Sequence, residues 1–203
     1  MGTTMIMDHQ SARRTRFSQE RGFTLIEVMT SMVVLTVGLV SLLAVFSLAM
    51  ASTKTAQDDM VAKQEAAEAI ESIYTARNTA QISWAQVDNV ANGGIFVNGL
   101  QPIRWQGADG IDGTADDGPD PNDPTCPGPS QCIKLPGPDG KLGTADDLEL
   151  PLNNFQRQIQ FTPLNDSTGV QYASLRQVTV TVRYTTSGLQ KQYVMTAYIS
   201  QYR

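Results

Sequence analysis

Histidine occurs once in this sequence, at His9, and cysteine twice, at Cys126 and Cys132. His9 lies in a short basic stretch at the N-terminus. The rest of the chain has no imidazole for Ser-His-Asp or Cys-His chemistry and none for zinc. Two cysteines are too few for a zinc cluster. Positive charge is also short, with 15 Lys and Arg against 20 Asp and Glu and a formal charge of −5. That balance argues against nucleic acid as a partner, because phosphate binding needs clustered cations. Charged residues make up 17% and aromatics 7%, which excludes a disordered polyanion and a collagen-like polymer. With 41% apolar residues, the 203 positions suffice for one domain of ordinary size.

Composition divides the chain into three. Residues 1–22 are polar and basic, 23–51 almost wholly apolar, and 52–203 polar, acidic and rich in turn formers. The apolar run begins FTLIEVMTSMVVL and holds one ionisable side chain, Glu27. A helix rises about 1.5 Å per residue, so about 20 residues cross a bilayer core and this run is long enough. Arg13, Arg14, Arg16 and Arg21 precede it. Lys54 and Lys63 follow it, outnumbered by Asp58, Asp59, Glu65 and Glu68. The positive-inside rule therefore places the N-terminus in the cytoplasm and residues 52–203 outside. A cleaved secretory signal fits less well, since its apolar core is usually about 7–15 residues and lacks a carboxylate. A plain signal anchor would leave Glu27 unexplained, and a carboxylate inside a membrane segment is costly enough to suggest a function.

Arg21-Gly22-Phe23-Thr24-Leu25-Ile26-Glu27, at the head of that helix, resembles the cleavage and methylation motif of type IV prepilins and type II secretion pseudopilins. The resemblance covers about 30 residues and implies several roles. A prepilin peptidase/methyltransferase would cut after Gly22 and methylate the new amine of Phe23. Glu27 would match the carboxylate at the fifth mature position. Glycine lets the backbone extend into a protease cleft. The ammonium on Phe23 of a neighbouring subunit would pair with Glu27, since a buried carboxylate is tolerable only when paired. Many major pilins have a helix-kinking proline where this chain has Ala44. Its absence leans towards a minor pilin or pseudopilin. Gly38, Ser31, Ser41 and Ala44 are small residues suited to close helix packing.

Beyond the apolar run, residues 52–77 contain neither glycine nor proline. We expect one helix over about 23–77. Met60, Ala67, Ile70 and Tyr74 fall at helical spacing, with Val61 and Ile73 alongside, as the apolar stripe of its second half, and Lys63, Glu65, Glu68 and Glu71 lie largely opposite. Strand patterns follow at 94–97, 103–105, 155–161, 178–184 and 193–199, the last two joined as a hairpin through Thr185-Thr186-Ser187-Gly188. The expected fold class is α+β: a long N-terminal helix, with a membrane-spanning first half and an amphipathic second half packed on an antiparallel sheet, which is pilin-like.

Residues 106–151 hold most of the ten prolines and an internal repeat. The pattern G-x-D-G-x-x-G-T-A-D-D occurs at 107–117 and again at 137–147. Glycines permit tight turns in which acids converge, and calcium takes 6–8 hard oxygen ligands. Asp109, Asp112, Asp116 and Asp117 are candidate ligands in the first copy, and Asp139, Asp146 and Asp147 in the second, where Leu142 replaces the fourth acid. The pattern is not an EF-hand. Solvated turns remain the alternative. Cys126 and Cys132 flank a Pro-Gly-Pro turn, and outside the cytoplasm they are expected to form a disulfide.

The resemblance implies a structural subunit of a type IV pilus or type II secretion pseudopilus, not an enzyme. It implies an inner-membrane, single-pass precursor with a periplasmic domain, which later enters an extracellular pilus or a periplasmic pseudopilus. Expected partners are the prepilin peptidase/methyltransferase, other pilin or pseudopilin subunits, the inner-membrane assembly platform, and membrane lipid before assembly. The alternative is a non-polymerising, single-pass anchored surface protein that binds calcium or another ligand.

Overall fold

A computed structural model describes residues 22–202. The expected leader up to Arg21, with its four arginines, lies outside the described residues. Helix α1 runs from Leu25 to Asn78. The chain forms two compact units, one ending at Ser47 and one beginning at Leu48, and each is described by itself.

In the first unit α1 exposes its apolar side chains all round. Every residue from Gly22 to Met50 is exposed, including Leu25, Ile26, Leu39 and Phe46. A helix that is apolar on all faces needs a non-aqueous surrounding. This one is long and apolar enough to cross a membrane.

In the second unit α1 packs on a sheet, through a face that coincides only in part with the expected stripe: Val61 and Ile73 are buried, and Ile70 and Tyr74 are half-buried against the core. The buried positions are Asp58, Val61, Ala62, Glu65, Ala66, Ala69, Ile73 and Ala76. Met60 and Ala67 are exposed, and Glu65 is 3% exposed. Period-3.6 reasoning favoured the bulkier apolar residues. The helix also turns a row of alanines inward, Ala62, Ala66, Ala69 and Ala76, and the bulk of the core comes from the strands.

Those strands are β1 (Gln101–Pro102), β2 (Cys132–Leu135), β3 (Leu148–Pro151), β4 (Phe155–Asn165), β5 (Gln171–Thr186) and β6 (Leu189–Ser200). Four form an antiparallel sheet in the order β1-β4-β5-β6, and β2 and β3 pair as a separate ribbon. Strand alternation sets the core face, with Phe155, Ile159 and Phe161 of β4 and Val178, Val180 and Val182 of β5 buried. The β4–β5 register pairs Ile159 with Val180 and Phe161 with Val178. Ser187 and Gly188, at φ 50° and 78°, make the two-residue turn into β6.

Two expected strands are not strands. Residues 94–97 make only an isolated bridge, Phe96 to Asn89, and the 103–105 segment is replaced by β1 just before it and a lone Trp105–Gly118 bridge. Phe96 and Ile103 are fully buried, so their apolar signal was core packing in irregular chain. Conversely, β2 and β3 arise inside the Pro-rich segment, where no strand was expected.

Candidate functional site

The first site is the head of α1. Thr24 precedes the first helical residue, and its hydroxyl accepts the backbone N–H of Glu27 at 3.3 Å. Thr24-x-x-Glu27 has the spacing of a capping box, and Glu27 sits in the first turn. A carboxylate there faces the positive end of the helix dipole. Gly22, Phe23 and Glu27 are all exposed and close in sequence, with Phe23 at 81%. The expected cleavage point is therefore exposed, non-helical chain leading directly into the helix. The sequence signal for the capping role of Thr24 is the Thr-x-x-Glu spacing itself.

The second site is the acidic loop. The two repeat copies share most of their internal hydrogen bonds. Asp109 Oδ1 accepts the N–H of Ile111 at 2.8 Å, as Asp139 Oδ1 accepts that of Lys141 at 2.8 Å. Asp117 Oδ2 accepts the N–H of Gly113 at 2.7 Å, as Asp147 Oδ2 accepts that of Gly143 at 2.6 Å. Each threonine hydroxyl donates to the acid two residues on, Thr114 to Asp116 and Thr144 to Asp146, both at 2.6 Å. Glycines at φ 67° and 82° in one copy, and 70° and 87° in the other, occupy the same left-handed positions. The repeat is thus a structural module.

The copies differ in their surroundings. The first is docked: Ile111, Asp112 and Thr114 are buried. The N–H of Asp112 points to Ser72 Oγ of α1 at 3.3 Å, and Gly113 O accepts the N–H of Val97 at 2.8 Å. The second copy sits at the end of the β2–β3 ribbon with Lys141 and Leu142 exposed. The disulfide Cys126–Cys132 closes the segment between the copies and enters β2, as expected.

Of the seven acids considered as ligands, three in the first copy meet around one atom. Asp109 Oδ2, Asp116 Oδ1 and Asp117 Oδ1 lie 3.1, 2.6 and 3.3 Å from Thr114 Oγ1. A hydroxyl has one proton to donate, so two of those contacts are uncompensated oxygen pairs. In the second copy only Asp146 and Asp147 approach Thr144, at 2.6 and 3.4 Å. Asp112 turns away from this group into the core. Among the described residues, no three acidic, histidine or cysteine side chains surround a point suited to a metal ion. The acids meet on a hydroxyl rather than on a vacant centre, so a cation would have to displace that hydroxyl.

A charge cluster joins loop, helix and sheet. Arg157 is 5% exposed. Its Nη2 donates to Asp112 Oδ1, and its Nη1 donates to the carbonyl of Glu65 at 3.2 Å and lies 3.5 Å from Glu65 Oε2. Gln131 Nε2 approaches both carboxylate oxygens of Glu65 at 3.4 Å. Burial pushes the Glu65 carboxyl up to about 7 against the pull of Arg157, with Glu68 and Asp112 adding repulsion. Asp117 is raised to about 6, again by burial first. Asp116 is lowered, chiefly by the Thr114 hydroxyl and by the N–H groups of Asp109 and Ala108. Elsewhere, the Tyr184 hydroxyl donates to Asp59 at 2.6 Å and holds that carboxyl low, with Lys191 assisting.

The family model of the prokaryotic N-terminal methylation motif matches residues 17–43. No curated protein and no solved structure matches the chain.

Proposed function

We propose that this chain, which carries at residues 17–43 the N-terminal methylation motif that is the signature of type IV prepilins and pseudopilins, is a minor pilin or pseudopilin. It is cut after Gly22, methylated on Phe23 and inserted into a type IV pilus or type II secretion pseudopilus. The observation that carries this reading is the motif placed on an exposed segment that starts a wholly apolar helix. That arrangement supports presentation to a membrane peptidase and later burial among neighbouring helices. It supports a structural rather than a catalytic role. The absence of proline at Ala44 and elsewhere along α1 favours a minor subunit. In this reading the domain from residue 52 lies in the periplasm before assembly, and the partners are the peptidase/methyltransferase, the assembly platform and other subunits.

Intact-mass spectrometry of chain recovered from cells that contain the peptidase is the direct test. The expected mass begins at Phe23 and includes one methyl group. A chain that keeps residues 1–22 defeats this reading and favours a non-polymerising anchored protein.

A calcium role for the acidic loop is a second proposal. It is supported by three carboxylate oxygens crowded around Thr114, and it requires the loop to rearrange.

A further inference from the structure

Three buried side chains leave one negative charge uncancelled. Arg157, Glu65 and Asp112 are 5%, 3% and 3% exposed. Glu65 Oε2 lies 3.5 Å from Nη1 of the guanidinium, and Asp112 Oδ1 accepts from Nη2. One cation therefore serves two carboxylates. Among the described residues, no second cation lies within ion-pair distance of either acid. A buried charge without a partner is unfavourable, and two carboxylates sharing one site resist ionising together.

The hydrogen bonds reveal the same shortage. Asp112 Oδ2 is buried and has no donor. The Glu65 carboxyl is approached by Gln131 Nε2 at 3.4 Å and by Arg157. An ionised carboxylate only accepts, whereas a protonated one has an O–H to give. One proton on Glu65 would cancel the surplus charge. It would also offer the donor that Asp112 Oδ2 lacks, since the two acids meet the two terminal nitrogens of the same guanidinium. The neighbouring charges favour that proton. Glu68 lies one turn along α1, and Asp117 of the loop faces both Arg157 and Asp112. The segment before β2 contributes only the neutral Gln131. Burial, with repulsion from Glu68 and Asp112, holds the Glu65 carboxyl at about 7 despite Arg157.

We infer that Glu65 is a proton-operated latch for the acidic loop: protonated, its carboxyl donates to Asp112 and holds the first repeat copy against α1 and β4, and ionised, it repels Asp112 and lets that copy come away. Asp112 belongs to this cluster and not to the carboxylates around Thr114, so the latch is separate from any ion bound there. The second copy has Leu142 at the matching position, without an anion to latch, and that residue is 63% exposed. The latch closes as pH falls and opens as pH rises through the raised value of Glu65. It does not depend on how residues 1–22 are processed.

Hydrogen exchange of the full chain in detergent and chelator tests this, with rates corrected for the base-catalysed intrinsic rate. Protection at residues 111–114 should fall severalfold between pH 5.5 and 8.5, while the β4–β5 core stays protected. Glu65→Gln is neutral at every pH and keeps a donor, so its protection should stay high and flat. Infrared spectra of the parent should show a protonated buried carboxyl at pH 5.5 that is lost by pH 8.5 and is missing from Glu65→Gln. Corrected protection that does not change with pH in the parent overturns the inference. So does a fall that persists in Glu65→Gln, which would assign the titration to another group such as Asp117. If Glu65→Gln does not fold, the parent's infrared band decides: no protonated carboxyl at pH 5.5 means no latch.

Discussion

Arg157 on the core face of β4 donates to Asp112 of the first repeat copy, so a buried guanidinium in the sheet is what fastens the acidic loop to the domain. Its other arm reaches Glu65 on α1, and one side chain thereby ties three parts of the fold. Breaking a buried pair from one side leaves an uncompensated charge, which costs about 3–5 kcal/mol. Arg157→Met should destabilise the domain by that order in denaturant titration. Asp112→Leu should do something different. The second copy already folds with Leu142 at that position, so the module should survive while its attachment loosens. Faster amide exchange at residues 111–114, with the turns of the module intact, is the expected signature.

The same cluster sets a pH dependence. The Glu65 carboxyl is raised from about 4.5 to about 7, and that of Asp117 from 3.8 to about 6. A carboxyl raised on folding binds its proton more tightly in the native state. Its stabilising contribution is complete below the ordinary carboxyl range and is lost as pH climbs through the raised value. The melting temperature of the purified chain should therefore be higher at pH 5.5 than at pH 7.5. Below about pH 4 the lowered groups, Asp59 and Asp116 among them, reverse the trend. Glu65→Gln should flatten the slope between pH 5.5 and 7.5. A melting temperature that rises over that interval in the parent would contradict the assignment.

Matched glycines test whether docking, rather than the module itself, accounts for the difference between the copies. Gly113 and Gly143 occupy the same motif position at φ 82° and 87°. A methyl on Gly143 meets nothing within 4 Å, whereas one on Gly113 lies 2.6 Å from Ile159 Cδ1 in the core. Gly143→Ala should cost only the left-handed backbone penalty, about 1–2 kcal/mol. Gly113→Ala should cost measurably more by the same denaturant assay, because Ile159 must also move.

What the sequence showed and what it hid follow one physical division. The alternation at 155–161 and 178–184 revealed the core strands, because side chains at period 2 must choose a face. Arg157 occupies an inward position of that alternation. The sequence had no way to show its partners, since Glu65 and Asp112 are 92 and 45 positions away and meet it only after folding. The α1 stripe was legible only in part: Val61 and Ile73 are buried, but the alanines Ala62, Ala66 and Ala69 share the inner face, and small side chains give a weak periodic signal. The repeat was plain, but its asymmetry was legible only as Leu142 in place of an acid. That substitution was read as a weaker ligand set, while the structure marks it as the absence of the docking aspartate.

At the helix head, Glu27→Val removes the one carboxylate of the apolar run. Insertion should be unharmed or improved, because an ionised side chain in a membrane helix is unfavourable. Entry into the fibre should fall, because the amine on Phe23 of a neighbour loses its counter-charge. The measurement is the ratio of fibre-associated to membrane-associated chain. Thr24→Val serves as the control, since it removes the hydroxyl that accepts the Glu27 N–H and leaves the carboxylate. It should weaken the first turn without the same loss of assembly. Equal defects in both variants would mean that capping, not pairing, explains the role of Glu27.

Calcium in the loop is open to a direct thermal test. Around Thr114, three carboxylate oxygens stand within 3.3 Å of a hydroxyl that can satisfy only one of them. The proposed cleavage after Gly22 would sharpen the imbalance, since residues 1–22 carry Arg13, Arg14, Arg16 and Arg21 against Asp8 and Glu20, and their removal would leave a chain more negative than −5. A hard divalent ion that replaced the hydroxyl as the meeting point would convert repulsion among these carboxylates into ligation. An ion bound only by the folded form raises its stability by mass action. The purified chain should then melt higher in calcium than in chelator, and Asp116→Ala combined with Asp117→Ala should shrink that difference. The double change Asp146→Ala and Asp147→Ala should matter less, because the second copy brings only two carboxylates to its threonine. Asp112→Asn separates ligation from docking: it should lower the melting temperature equally with and without calcium, because Asp112 faces Arg157. Identical melting with calcium and chelator, and no heat of calcium binding, would leave the module as a structural turn whose acids serve its own backbone.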